Sequence, residues 1–339
     1  MNNSTSKLSV LLISPRTYNY HELIVKSFER AGAECIWLDE RPFSHFLFKI
    51  FSRRFNRLSR CFSARFYFRR VRSLFASGFS PTHVLVVKGE AIHSSVLNYV
   101  RKLYPQTKFT LYFWDSVVNL PGHESILSCF DTVASFDYRD CSIYGWRYCP
   151  LFSGNSGDSF KAASSIRLDH CFQYDWSFVG VVHSDRLKVI DDLIRSNSAT
   201  NLRFFLYIYF PSLAHLLRYF FLSPAPFLRL CPYIHFHSLS PTLLPKIYNQ
   251  SRSVLDVHHP DQSGLTMRTV ESILSGLKVM TTNSFVINEP FFSPERVLIL
   301  DRNQPFIPLA FLNSNYIPLP ISIVQSYLPV QWVIRLLSL

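Results

Sequence analysis

This chain is poor in cysteine pairs, glycine and acidic residues. Its seven cysteines are odd in number and contain no C-x-x-C pair, which excludes a disulfide framework and a structural zinc site, and indicates a reduced, cytosolic compartment. Only 10 of 339 residues are glycine, while 48% are hydrophobic and 16% aromatic. That composition excludes wholesale disorder, and the length suggests two domains of ordinary size. Asp and Glu number 23 against 35 Lys and Arg, a net charge of +12, so an anionic partner is expected: nucleic acid, acidic lipid or a phosphorylated substrate. The opening "MNNSTSKLSVLLISPR" has neither the basic start nor the small-residue end of a secretory signal and reads as a first buried strand. One apolar run, "FFLYIYFPSLAHLLRYFFL" at 204–222, has the length of a membrane span. Pro211, His215 and Arg218 interrupt it, so it reads as a buried strand, a break and an apolar helix.

What is present is an alternation of strands and helices in the manner of an open α/β sheet. "KLSVLLIS", "AECIWL", "THVLVVKGE", "KFTLYFWDS" and "FDTVASFD" read as strands, with helices at 21–31 and 94–103. Polar groups gather at the strand ends: Ser14 and Arg16, Lys88 and Glu90, Asp115 and Ser116, Asp137. In a parallel sheet these ends form the ligand crevice, although strand ends are also exposed and polar for no other reason. A small, polar linker, "FSGNSGDSFKAASSIRLD", precedes a second α/β unit that starts at "YDWSFVGVVHSDR". There Arg186 and Lys188 read either as phosphate contacts or as solvated helix residues. "NLRFFLYIY", "PYIHFHSL", "SVLDVHH", "KVMTTN" and "RVLILD" supply further strands, and "SPTLLPKIYNQS" a helix.

The stretch "DQSGLTMRTVESILSGLKVMTTN", 261–283, carries the most chemistry. Gly264 falls where a turn enters a helix whose apolar positions Leu265, Met267, Val270, Ile273 and Leu274 recur at helical spacing. The unpaired N–H groups of a first helical turn favour an anion. Thr266 adds a hydroxyl and Arg268 a positive charge, so a diphosphate suits the turn; Glu271, further along, suits two vicinal sugar hydroxyls. An ordinary amphipathic helix capped by Gln262 or Ser263 fits the spacing as well. His258 and His259 lie just upstream, close enough to contact a donor, but two histidines after a strand are not a metal site.

Two α/β units, a linker and a late nucleotide-diphosphate motif together resemble GT-B glycosyltransferases, particularly the bacterial lipopolysaccharide and capsular polysaccharide biosynthesis type. The likeness is strongest in "SVLDVHHPDQSGLTMRTVESILSGLKVMTTN" and runs over most of the chain. It implies two Rossmann-like domains facing a central cleft: an acceptor domain over 1–155, a nucleotide-sugar donor domain over 172–320, and a closing helix over 321–339 that crosses back. It implies further that Gly264, Leu265 and Thr266 lie beside the donor diphosphate and that Glu271 binds the ribose; beside that carry-over, Arg186, His259, Ser263 and Arg268 are read as further donor contacts. Ser263 stands where many retaining members have glutamate, which leaves retention or inversion open.

Sugar transfer needs fixed positive charge or N–H dipoles aimed at the leaving diphosphate and a base for the acceptor hydroxyl. The helix start with Arg268 and Arg186 suits the first need without a metal, and no D-x-D pair is present. Glu90 and Asp115 are the candidate bases, though each could equally be a helix cap or an ion-pair partner. The segment "RPFSHFLFKIFSRRFNRLSRCFSARFYFRRVRSLF", 41–75, has no acidic residue. Phe43, Leu47, Ile50, Phe51, Phe55, Leu58, Phe62 and Phe66 fall near one helical face. A core-packed helix with a basic rim, a nucleic-acid arm and an in-plane membrane helix all fit this pattern, and the wide apolar face favours the last. The expected protein is a cytoplasmic, metal-independent glycosyltransferase, peripheral on the inner face of the cytoplasmic membrane. It adds sugar from a nucleotide-sugar donor to a lipid-linked surface glycan and has no resident cofactor and no nucleic-acid partner. Its rivals are a sugar-nucleotide epimerase and a non-catalytic, membrane-attached binding protein of the same fold.

Overall fold

The computed structural model of the chain describes residues 8–17, 19–41, 56–154, 172–240 and 242–338, and side chains from 64 onward in the helix that begins at 56. Residues 42–55 of the basic segment and 155–171 of the expected linker lie outside the described residues.

Two compact units are present, the first formed by Met1–Gly154, Asp261–Gly264 and Tyr327–Leu339, the second by Asn155–Pro260 and Leu265–Ser326. In the first unit β1 (Ser9–Ser14), α1 (Tyr20–Arg30), β2 (Glu34–Asp39), α2 (Asn56–Ala76), β3 (His83–Val87), α3 (Ser94–Leu103), β4 (Lys108–Phe113), α4 (Glu124–Leu127), β5 (Thr132–Ser135), α5 (Tyr138–Tyr144) and β6 (Arg147–Tyr148) follow in turn. The strands form one parallel sheet in the order β2-β1-β3-β4-β5-β6. Every residue of β1 and β3 is buried, as expected of central parallel strands covered on both faces; this is why they read as unbroken apolar runs.

The described part of α2 covers only the last turns of the basic segment; of the apolar face expected there, Phe43 to Phe62 lie outside the residues whose side chains are described. Ala64, Tyr67 and Val71 are buried in the first core, with Phe66, Phe68, Leu74 and Phe75 packed against it. Arg65, Arg69, Arg70 and Arg72 are exposed. Over these turns the apolar face is spent on the sheet and cannot also enter a membrane. Arg70 instead lies over the Phe66 ring and Arg72 over Phe68 and Tyr99.

The second unit runs β7 (Tyr174–Val181), α6 (Arg186–Ser196), β8 (Phe204–Tyr209), α7 (Leu213–Leu222), α8 (Pro224–Leu230), β9 (Ile234–His235), α9 (Leu243–Asn249), β10 (Ser251–Asp256), α10 (Met267–Leu274), β11 (Lys278–Thr281), β12 (Val297–Ile299), α11 (Leu309–Asn313) and α12 (Ile321–Ser326). Its sheet is also parallel, in the order β12-β11-β10-β7-β8-β9. The closing helix α13 (Pro329–Leu337) belongs to the first unit and packs on α1. Trp332 on α13 sits edge-on to Tyr112 at 5.0 Å.

Strand order locates the ligand edge of each unit. In an open parallel sheet the crevice opens at the carboxyl ends of the strands where the winding direction reverses. That reversal lies between β1 and β3 in the first unit and between β7 and β10 in the second. Two of the described non-glycine residues with positive φ follow such strands: Lys88 (φ 79) after β3 and Ser184 (φ 48) after β7. Each left-handed side chain costs on the order of 1–3 kcal/mol, a strain that concentrates at functional positions.

Candidate functional site

At the reversal in the second unit the sequence places charge where the sheet opens. Asp256 ends β10 and is 1% exposed. It accepts from Arg268 Nη1 at 2.9 Å, Thr266 Oγ1 at 2.8 Å and Thr269 Oγ1 at 2.7 Å. Burial works to raise its pKa, but Arg268 and the hydroxyls outweigh it and hold the carboxylate below its ordinary range. Thr266 is at the same time the N-cap of α10, accepting from the Thr269 N–H. One residue thus ends the loop, starts the helix and ties both to β10. The start of α10 is the helix entry that the spacing implied.

The arginines point inward. Arg268 donates its second amino group to the Val179 carbonyl at 2.7 Å. Gly180 makes this possible, because a Cβ there would meet Arg268 Nη2 at 2.5 Å. Arg186 is 4% exposed. It bridges the two strands of the reversal, donating to Val181 O at 2.5 Å and to Val257 O from Nε at 3.1 Å and Nη2 at 2.5 Å. Burial lowers its pKa to about 9, helped by the neighbouring Arg268. Both side chains were expected to contact a phosphate; here their donors reach carbonyls and Asp256. What they supply is fixed positive charge beneath the edge, and both lie over the Phe178 ring.

A third guanidinium, Arg302, had no motif to reveal it. It follows β12 and reaches Asp185 at 2.6 Å, His258 O at 2.8 Å and Thr282 Oγ1 at 3.2 Å. His259 faces His183, ring centroids 5.5 Å apart. Burial, with Arg186 next, lowers the His183 pKa to about 3, so that ring is neutral at physiological pH. Glu271, half-buried, lies in the second turn of α10. Among the described residues no group of three or more His, Cys, Asp or Glu is placed to hold a metal ion.

Ser263 and Gly264, expected beside a donor diphosphate, are bound to Asp137. They belong to the first unit, and Ser263 is 0% exposed. The Asp137 carboxylate accepts from Ser263 N at 2.7 Å, Ser263 Oγ at 2.5 Å and Gly264 N at 3.2 Å while capping α5 through Arg139 N and Asp140 N. The Phe136 ring lies so close to Gly264 that a Cβ there would collide with it. The glycine is required here by close approach. Leu265 is buried at 3%.

In the first unit the two expected bases do come together, through Lys88. Its Nζ is 3.4 Å from Glu90 and 3.7 Å from Asp115. Glu90 also accepts from Arg41 at 2.9 Å. Burial pushes its pKa up, but Lys88 and Arg41 prevail and leave it below the usual carboxylate value. Asp115 accepts from Asn119 Nδ2 at 3.0 Å and Gln262 Nε2 at 2.5 Å. Beside them is an acid that no motif indicated. Glu40, just after β2, is 0% exposed, accepts from Ala91 N at 2.9 Å through Oε1 and has no hydrogen-bond partner for Oε2 among the described residues. Burial raises its pKa to about 7. The only signal in the sequence was an acid directly after a strand.

No protein-family model and no curated protein matches the chain. Solved structures do. HepE from Anabaena, solved with UDP and glucose, superposes with a TM-score of 0.56 at 10% identity, covering 98% of each chain. The catalytic domain of starch synthase IV from Arabidopsis thaliana, bound to ADP and acarbose, gives 0.54 at 9% identity over 97% of this chain and 95% of that one. An α-glucosyltransferase in complex with UDP and DNA gives 0.52 at 11% identity over 88% and 87%. Likeness at this identity speaks to fold, and with the two parallel six-stranded sheets it shows that the chain is α/β with two Rossmann-like domains, the GT-B fold.

Proposed function

We propose that the protein is a glycosyltransferase that moves a sugar from a nucleotide-diphosphate donor to a growing glycan, and that the glycan is a lipid-linked surface polysaccharide of the lipopolysaccharide or capsule kind. The observation that carries this reading is the edge at β7 and β10, where the start of α10 and three guanidiniums, Arg186, Arg268 and Arg302, converge. The similar structures, solved with UDP or ADP, support it. In this reading the N–H groups of the first turn of α10 and the charge beneath them receive the diphosphate, with Thr266 and His259 at its margin and Glu271 on the ribose hydroxyls. As the bond between the sugar carbon and the diphosphate oxygen breaks, its electron pair passes to the diphosphate. The acceptor oxygen bonds to that carbon and gives its proton to a carboxylate. Asp115 suits this role better than Glu90, which two cations hold ionised.

That same ion pairing favours the second reading, a binding protein without catalysis, because Lys88 and Arg41 hold Glu90 where it is a poor base. Calorimetric titration with UDP, GDP, CDP and ADP tests the donor site. One nucleotide should bind saturably, and Glu271→Ala should weaken it by roughly 10-fold to 100-fold, the worth of hydrogen bonds to a charged group. No binding by any nucleotide, or equal binding by the variant, removes the reading.

A further inference from the structure

Helix α7 is turned inside out for a surface helix. Such a helix ordinarily buries its apolar stripe and shows water its polar side. Here the inward positions are Tyr219, the one buried residue of the helix, and half-buried His215 and Leu216. His215 Nε2 donates to the Val182 carbonyl at 2.9 Å, fixing the helix to the end of β7. The outward positions are Leu213 at 63% exposure, Leu217 at 47% and Phe221 at 77%, with Phe220 at 36% beside them. Spacings of four residues put Leu213, Leu217 and Phe221 on one line along the helix. Leu228 on α8, 63% exposed, extends the apolar surface, while Phe227 and Leu230 anchor α8 in the core.

The charge carried by the hairpin itself has one sign. Between Asp192 and Asp256 the sequence contains no acidic residue, and it holds Arg195, Arg203, Arg218, Arg229, Lys246 and Arg252. Arg218 is exposed on α7 itself. The acids of the neighbouring α6 are already matched: Asp191 by Arg229 at 2.6 Å, and Asp192 by Lys188 at 2.8 Å and Arg195 at 3.8 Å. Exposed leucine and phenylalanine on a hairpin whose own charged residues, Arg218 and Arg229, are both basic fit the boundary between anionic headgroups and acyl chains, where apolar insertion and basic attraction add.

We propose that the α7–α8 hairpin docks the protein on an anionic lipid surface, with Leu213, Leu217, Phe221 and Leu228 inserted among the acyl chains and Arg218 at the headgroups. The inference goes beyond the function proposed above, whose acceptor is lipid-linked, and is independent of sugar transfer. No helix among the described residues is long and apolar enough to cross a membrane, so the contact is one of lying on the surface.

The test is sedimentation of the full chain with vesicles of phosphatidylcholine alone or mixed equally with phosphatidylglycerol, comparing the parent with Leu217→Glu/Phe221→Glu. The expected result is binding to the anionic vesicles and binding weaker by at least ~10-fold in the double variant. As an independent readout, the Phe221→Trp variant should show fluorescence quenching by brominated acyl chains beyond that of the parent. Equal binding by parent and double variant, or no added quenching in the Phe221→Trp variant, overturns the proposal. So does a parent that dimerises by sedimentation velocity through this face and ignores vesicles. Nucleotide calorimetry on the same samples separates the two claims: a double variant that binds nucleotide normally is folded, and lost vesicle binding is then due to the hairpin. If no sample binds nucleotide while the vesicle results hold, the sugar-transfer reading fails and the docking surface stands.

Discussion

The two sheet edges hold similar numbers of charged side chains and use them in opposite ways. At the edge of the second unit, Arg186, Arg268 and Arg302 face two carboxylates, Asp256 and Asp185, and nearly every donor is committed to a carbonyl or a carboxylate. At the edge of the first, Lys88 and Arg41 face Glu40, Glu90 and Asp115, and one oxygen of Glu40 has no hydrogen-bond partner among the described residues. A rigid surplus of positive charge suits an anion that arrives and leaves without a proton. An acid-rich cluster with a carboxyl titrating near neutrality suits proton handling.

The sharpest way to break this contrast is to remove the centre of the rigid edge. Asp256→Ala strands Arg268 in a buried site, and chemical unfolding should show a loss of about 3–5 kcal/mol; a loss no larger than that from Arg41→Ala would mean that the two edges are equally plastic. Next is Glu40→Gln. The folded pKa of Glu40 is raised from 4.5 to about 7, so its neutral form stabilises the fold fully below pH 4.5, and that contribution is lost as pH rises through 7. Relative to the parent, the variant should gain on the order of 3 kcal/mol above pH 7 and nothing at pH 4. A flat difference across that range would show that Glu40 does not titrate as its burial requires.

Asp115→Asn should lower turnover by at least ~100-fold with nucleotide affinity unchanged, and Glu90→Gln should lower it less. The reverse order would make Glu90 the base despite its two cations. The smallest effect concerns packing. Gly264→Ala drives a methyl group into the Phe136 ring and should cost about 1–3 kcal/mol, with Phe136→Ala restoring part of it in a double-mutant cycle. Additive losses would place the strain elsewhere.

Nearly all of the strands were legible in the sequence, because fully covered parallel strands are apolar throughout and end at polar residues: "KLSVLLIS" and "THVLVVKGE" became β1 and β3 with every residue buried. The cap of α10 is Thr266 rather than Gln262 or Ser263, but a helix entry just after Gly264 was legible from the spacing. The direction of long side chains was not. Arg186 and Arg268 carry the charge expected of phosphate contacts, yet where a guanidinium points depends on which carbonyls lie within reach, and those come from β7 and β10. Glu40 and Arg302 were missed for the same reason, each being one charged residue after a strand until the sheet put others beside it. Of the apolar stripe expected to face lipid only Phe66 has a described side chain, and it packs against the first core beside Tyr67 and Val71.

By itself the sequence determined the alternation of strands and helices, the two units, a helix entry after Gly264 and the excess of positive charge, since these follow from local periodicity and composition. The tertiary structure alone decided which strands flank each reversal, which carboxyl is buried without a full set of partners, and which apolar helix face is left in water. Those properties belong to pairs of segments far apart in the chain. Burial and the direction of a side chain are set by what a neighbouring element happens to cover.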